Sequence, residues 1–274
     1  DDTAPVVRPG TFTGHILVVD DNPTNRLVLK AMLNKPGVRC DFVADGQQAV
    51  EAITGGMAPD LVLMDCQMPV LDGYEATMQI RRWETEHARP RLPIVALTAS
   101  AFEDDRKRCL EAGMDDFLAK PIVIEKLMAM LGHWLAGGSE MLEAAEAAPA
   151  PQAPQALITT QEEGSPVFDE KTLLTQLGDD RELAGVIIRS ATEDIPGYFD
   201  QLEQAIAAGN WKAAERQTHT MKGLTAQIGG IKLSKRMKEL DDHLKGGGNI
   251  DSATVIDLRR EYQILSATLL AWVG

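Results

Sequence analysis

Between His15 and about Ala136, short apolar runs alternate with stretches whose apolar positions recur at helical spacing. The runs are HILVVD (15–20), RCDFVA (39–44), DLVLMD (60–65), PIVALTA (93–99) and DDFLAK (115–120), each rich in Val, Ile or Leu and each followed by turn residues. Apolarity that is continuous rather than alternating predicts strands covered on both faces, and so a parallel sheet with helices on either side. Five such β-α units predict a small doubly wound α/β domain whose ligands gather at the carboxyl ends of the strands.

From Val167 onward the strand pattern stops. Helical stretches are separated by G-D-D (178–180), A-G-N (208–210), G-G (229–230) and G-G-G-N (246–249), which predicts an all-α antiparallel four-helix bundle with a shorter helix in front. Residues 137–166 are rich in Ala, Pro, Gln and Glu and have no sustained apolar face, so they predict a solvated linker in which PAPQAP interrupts any continuous helix. The expected organisation is a remnant of an upstream linker over 1–13, a first domain over 14–136, the linker over 137–166 and a second domain over 167–274. The acidic, Pro-containing start without Met reads as a piece of something longer.

Charge and cysteine usage narrow the function classes. With 27 basic against 41 acidic side chains the formal net charge is −14, which argues against nonspecific nucleic-acid binding, because neutralising phosphates needs a basic surface. Three cysteines, Cys40, Cys66 and Cys109, without C-x-x-C spacing argue against a disulfide scaffold or a zinc site and suit a reducing cytoplasm. The apolar runs are strand-sized, so no membrane contact is expected, and the first residues lack the basic and apolar regions of a signal peptide.

The candidate chemistry lies at the strand ends. Asp20 and Asp21 close the first run, Asp65 the third, Thr98 the fourth and Lys120 the fifth, so the sheet would bring all five to one rim. Three clustered carboxylates repel one another unless a cation joins them, and oxygen-only donors suit Mg²⁺. Lys120 adds a positive charge and Thr98 a hydroxyl donor, which is what phosphoryl transfer asks of a site. A lone Asp at a strand end is ordinarily a solvated loop residue. Five residues of the right type at these strand ends are harder to explain that way.

The motifs ILVVDDNPTNR (16–26), DLVLMDCQMPVLDG (60–73), ALTAS (96–100) and AKP (119–121) make the segment from 13 to 136 resemble response-regulator receiver domains. That resemblance implies a flavodoxin-like (βα)5 fold with Asp65 as phospho-acceptor. It also implies that Asp21, Asp65 and the backbone carbonyl of Gln67 bind Mg²⁺, with Asp20 acting through water. Lys120 would contact the phosphoryl group, Thr98 would swing toward it, and the Lys120–Pro121 bond would be cis. The DDNPTNR form is similar to receivers fused to hybrid sensor kinases. Phe117 stands where the family's aromatic switch is commonly Tyr; without a hydroxyl it can pack but cannot hydrogen-bond, and it reads equally well as a core residue.

The second candidate is THTMKGLTAQIGG (218–230). Trp211, Ala214, Thr218, Met221, Thr225 and Ile228 recur at three- and four-residue steps and predict a buried stripe. His219 falls off that stripe and is expected to face solvent, with Lys222 one turn on to neutralise a phosphoryl group. Gly223 leaves the approach open at a helical cost of about 1 kcal/mol. H-x-x-K-G in a strandless domain behind a receiver resembles histidine-phosphotransfer (HPt) domains, from FDEKTLL (168–174) to LLAWV (269–273).

Together the two resemblances suggest the C-terminal half of a tripartite hybrid sensor histidine kinase. They imply a cytoplasmic relay from an upstream kinase histidine to Asp65, then to His219, then to the Asp of a downstream response regulator. By the same analogy the domains would dock through the first receiver helix, near Asn25 and Leu29, and the loop after Lys120. No G-x-x-x-x-G-K or glycine-rich nucleotide lid is present, so the pair reads as a phosphoryl carrier. Two rivals are a complete stand-alone intermediate and an interaction protein in which His219 is idle.

Overall fold

The computed structural model describes residues 12–34, 37–98, 103–135 and 166–274. The expected upstream remnant (apart from Phe12 and Thr13), the linker before Pro166 and Ala99 and Ser100 of the ALTAS motif lie outside the described residues. In the first half β1 (His15–Val19), α1 (Pro23–Asn34), β2 (Arg39–Val43), α2 (Gly46–Thr54), β3 (Leu61–Asp65), α3 (Gly73–Glu86), β4 (Ile94–Thr98), α4 (Glu103–Glu111), β5 (Asp116–Ala119) and α5 (Ile124–Leu135) alternate as expected.

All strand pairs are parallel, and the sheet order is β2-β1-β3-β4-β5. The two-residue period of a strand sends Ile16, Val18, Leu61, Leu63, Val95 and Leu97 to one face. Leu17, Val19, Val62, Met64, Ile94 and Ala96 go to the other. Helices cover both, so β3 and β4 are buried along their whole length and β1 from Ile16 onward, while the edge strand β2 is only half-buried. The strand order reverses between β1 and β3, opening a crevice at their carboxyl ends.

A buried ionic network holds α3 to the start of β4 and the loop before β5. Arg81 donates to Glu84 (2.8 and 2.9 Å), Asp115 (2.7 Å) and the Gly113 carbonyl (2.9 Å). Glu84 and Asp115 in turn accept the backbone amides of Leu92 and Ile94, both at 2.8 Å. Arg81→Ala would leave two buried carboxylates short of their cation, and a loss of about 3 kcal/mol is expected. Urea denaturation followed by circular dichroism checks this; a midpoint unchanged from the unmodified chain would mean Arg91 replaces it.

The second half is helical: a short α6 (Glu170–Gln176) precedes α7 (Arg181–Ala207), α8 (Trp211–Gln227), α9 (Ile231–Lys245) and α10 (Ser252–Val273). Helix α7 packs on α8 and α10, and α9 packs on the same two, closing a four-helix bundle. Asp180, Asn210 and Asp251 begin α7, α8 and α10 by accepting the amides of Leu183, Ala213 and Thr254. Pro196 lies inside α7 and cannot donate to the Thr192 carbonyl one turn back. That carbonyl accepts the Tyr262 hydroxyl of α10 at 3.1 Å instead, so the interruption serves as a cross-bundle tie.

The apolar core on the α1/α5 side of the sheet continues into the bundle. Helix α1 packs along α7, and Ile124 at the start of α5 meets the turn at Gly178.

Candidate functional site

The rim begins where β1 runs into α1. Asn22 caps α1, its Oδ1 accepting the Asn25 amide at 3.0 Å, and Pro23 takes the first helical position, where its missing N–H costs nothing. This turn fixes Asp20, whose Oδ1 accepts the Asn22 amide (2.9 Å) and the Asn25 side chain (3.0 Å). Asp65 ends β3, and the Gln67 amide lies 3.3 Å from its Oδ1. Gly73 is required behind it: a Cβ there would sit 2.1 Å from the Asp65 carbonyl oxygen. Lys120 reaches in from the end of β5, donating to Asp20 at 2.8 Å and Asp65 at 2.7 Å. The Lys120 amide bonds the carbonyl of buried Thr98 at 2.6 Å, and the Lys120–Pro121 bond is cis.

Asp20, Asp21 and Asp65 each bring a carboxylate oxygen within 4.8 Å of the others. Burial pushes the Asp65 carboxyl up to about 7, with Asp20 and Asp21 adding to the shift and Lys120 opposing it. Burial and Asp20 push Asp21 up to about 6. Burial disfavours the charge on Lys120, but the two carboxylates outweigh it and hold the ammonium charged. One cation among three clustered carboxylates leaves net negative charge in an oxygen-only pocket, a donor set that fits a hard divalent ion. Phe117 is half-buried against the sheet's core, with Arg106 5.8 Å from its ring.

The second cluster lies on α8 and α9. Asp241 is 0% exposed, and its Oδ2 takes three partners: His219 Nδ1 at 3.2 Å, Lys222 Nζ at 2.9 Å and Lys245 Nζ at 2.9 Å. Burial would raise its pKa, but the His219 hydrogen bond and the Lys222 charge hold it well below the usual carboxylate range. An ionised carboxylate only accepts, so the Asp241 bond selects the His219 tautomer protonated on Nδ1, which leaves the basic lone pair on Nε2. Burial also holds His219 below its ordinary pKa, with the Asp241 hydrogen bond pulling the other way.

Two sequence expectations change here. The His219 side chain is 15% exposed, not on the open face of the helix, because α9 brings Asp241 against it. Trp211 stands at the first residue of α8, beyond the packed turns, and is 36% exposed; the rest of the predicted stripe, Ala214, Thr218, Met221, Thr225 and Ile228, is buried. Nothing lies within 4 Å of where a Gly223 side chain would begin, so packing within the bundle does not demand the glycine.

The structure also sets the acidic rim against α8, the helix that carries His219. Asp20, Asn25, Leu29, Lys120 and Ile122 from the α/β half and Gly223 and Gln227 of α8 line one small cleft. Residues of α1 and of the loop after Lys120, where docking was expected, lie against α8 in this cleft. Its polar ties escaped the sequence: Asn22 donates to the Tyr198 hydroxyl at 2.8 Å, and the Thr24 hydroxyl bonds Asp194 at 2.5 Å and Ser190 at 2.9 Å. Burial, then Asp21 and Asp194, push the Tyr198 phenol up to about 12. Asp241 and Lys245 were missed as well. The available signal was an acid in phase with the buried positions Leu233, Met237 and Leu244 of α9.

Comparison with known proteins matches a different family to each half of the chain. Residues 16–132 match the response regulator receiver domain and residues 186–268 match the Hpt domain. A sensor histidine kinase GacS of Pseudomonas protegens is 32% identical over 233 residues, 84% of this chain and 24% of that protein. The sensor protein GacS of Pseudomonas syringae is 45% identical over 119 residues, 43% of this chain and 13% of that protein. The chain thus spans a quarter or less of these relatives' length. Among solved structures, the receiver domain of sensor histidine kinase PA1611 from Pseudomonas aeruginosa, crystallised with magnesium in its active-site cleft, is 48% identical. That match covers 45% of this chain and 98% of the other, with a TM-score of 0.41.

Proposed function

We propose that this chain, whose residues 16–132 belong to the response regulator receiver family and 186–268 to the Hpt family, relays a phosphoryl group from Asp65 to His219. The observation that carries the reading is the shared cleft, in which the acidic rim of the sheet faces the helix bearing His219. The domains are taken as a receiver over 14–136, a linker over 137–166 and an HPt domain over 167–274.

In the first step an Asp65 carboxylate oxygen attacks phosphorus and the donor's P–N or P–O bond breaks. Asp20, Asp21, Asp65 and the Gln67 carbonyl would hold Mg²⁺, which when bound supplies the charge neutralisation that phosphoryl transfer needs. Lys120 holds the transferring oxygens, and the Thr98 hydroxyl donates to one of them. In the second step His219 Nε2 attacks, the P–N bond forms, and the Asp65 carboxylate leaves. His219 keeps its Nδ1 proton, held by the hydrogen bond it donates to Asp241, and Lys222 lies one helical turn from the incoming negative charge. The acidic rim and the lysines around His219 are complementary in sign, which favours encounter. The donor would be an upstream kinase histidine of the same parent protein and the acceptor a downstream receiver in the cytoplasm. Among the described residues no helix is long and apolar enough to cross a membrane.

Acetyl phosphate with Mg²⁺ is expected to label Asp65 as a hydroxylamine-sensitive acyl phosphate and then His219 as an acid-labile, base-stable phosphoramidate. EDTA or Asp65→Asn should remove both. Histidine label that survives Asp65→Asn would break the proposed order.

A further inference from the structure

We infer that the stripe Ser190, Asp194 and Tyr198 on α7 is a latch for the chain's own α1, closing the receiver on its own bundle and shutting the rim to a second histidine-bearing domain. The inference rests on the relay reading and adds a regulation to it.

The three residues recur every fourth position, so they share one face of α7. The neighbouring face, Ile187, Ala191, Ile195 and Phe199, is spent in the bundle core. The latch face meets the first turn of α1, where Thr24 is 0% exposed and Asn22 equally buried. Thr24 places its hydroxyl between Asp194 (2.5 Å) and Ser190 (2.9 Å). Asn22 divides its amide: the oxygen caps α1, while the nitrogen donates to Tyr198 at 2.8 Å. The turn that places Asp20 is therefore the turn that α7 grips. These bonds are directional, so they select a partner rather than merely adhere to one. A tether of about 30 residues gives an effective concentration near millimolar, at which a weak contact stays closed. Gly223 and Gln227 of α8 then lie across the cleft beside Asp20 and Lys120, the opening another donor must use.

The test keeps the full chain and alters only α7, through a Ser190→Ala, Asp194→Ala, Tyr198→Phe variant that leaves α1 and both phospho-acceptors intact. Small-angle scattering should give the unmodified chain a radius of gyration of about 20 Å, close to the value for a compact chain of this length. The variant should be larger by several Å at every concentration, and Thr24→Val should behave likewise. Equal radii for all three would overturn the latch. A mass that rises with concentration in the unmodified chain would place the contact between copies and overturn the claim that it is internal. Occlusion is read separately. The unmodified chain, labelled with acetyl phosphate, donates to a His219→Gln acceptor with and without the α7 changes. Opening the latch should speed acceptance several-fold, and equal rates would overturn the gating. If no chain takes label from acetyl phosphate, the relay reading falls while scattering still decides the latch.

Discussion

Replacing His219 with glutamine is expected to abolish phosphoryl acceptance by the bundle while leaving its thermal midpoint within about 5 °C, the shift that 1 kcal/mol produces in a domain of this size. The side chain is half-buried rather than free, so the substitution is not automatically harmless. What it must preserve is the donor to Asp241, since Lys222 and Lys245 share that same carboxylate oxygen. A glutamine amide can donate there, but it offers no basic lone pair in place of Nε2. Nucleophilicity should vanish while the ionic cluster survives. Base-stable label on the variant and a calorimetric scan check the two halves. Persistent label would place the acceptor elsewhere, and a midpoint lowered by more than about 10 °C would make the imidazole chiefly structural.

The strands and the rim were legible because both follow from local pattern. Each apolar run became a strand to within a residue at either end, since continuous Val, Ile and Leu has few other uses in short segments bounded by turns. Once the sheet is parallel, Asp20, Asp21, Asp65, Thr98 and Lys120 have nowhere to go but one edge, and Lys120 does bond both Asp20 and Asp65. What failed needed a second helix. The phase of α8 correctly separates His219 from the buried stripe, but it cannot say that α9 lies over that position. Asp241 reads as one more solvated acid in KELDDHLK until its partners Lys222 and His219 come from another element. The ties from Asn22 and Thr24 to α7 were hidden for the same reason. Polar residues at a helix start explain themselves as caps, and Asn22 is indeed a cap, so nothing local hints that its other end is spent on Tyr198.

Asp241→Asn is expected to cost the bundle about 3 kcal/mol, because removing one partner of a buried ionic cluster leaves the others uncompensated. Lys222 and Lys245 would then face each other across an amide that cannot neutralise them. The pH dependence follows from the direction of the Asp241 shift. Its folded pKa lies below its ordinary value, so the unfolded chain takes up the proton first, and the stabilisation is complete above the carboxylate range. It drains away as pH falls through that range, from about 5 downward. The unmodified and Asn chains should therefore differ most near neutrality and converge in acid. His219 moves separately. Burial already holds its pKa low and Asp241 partly restores it, so losing the carboxylate should lower the imidazole midpoint further. An imidazole kept neutral yet no longer oriented should also accept phosphate more slowly. Thermal midpoints from neutrality down to acid pH, with an NMR titration of the His219 ring, test both consequences. A gap between the two chains that stays constant with pH would mean that the Asp241 charge is not what holds α8 to α9. A ring midpoint that rises in the Asn variant would mean that Asp241 is not what holds the imidazole pKa up against burial and the lysines.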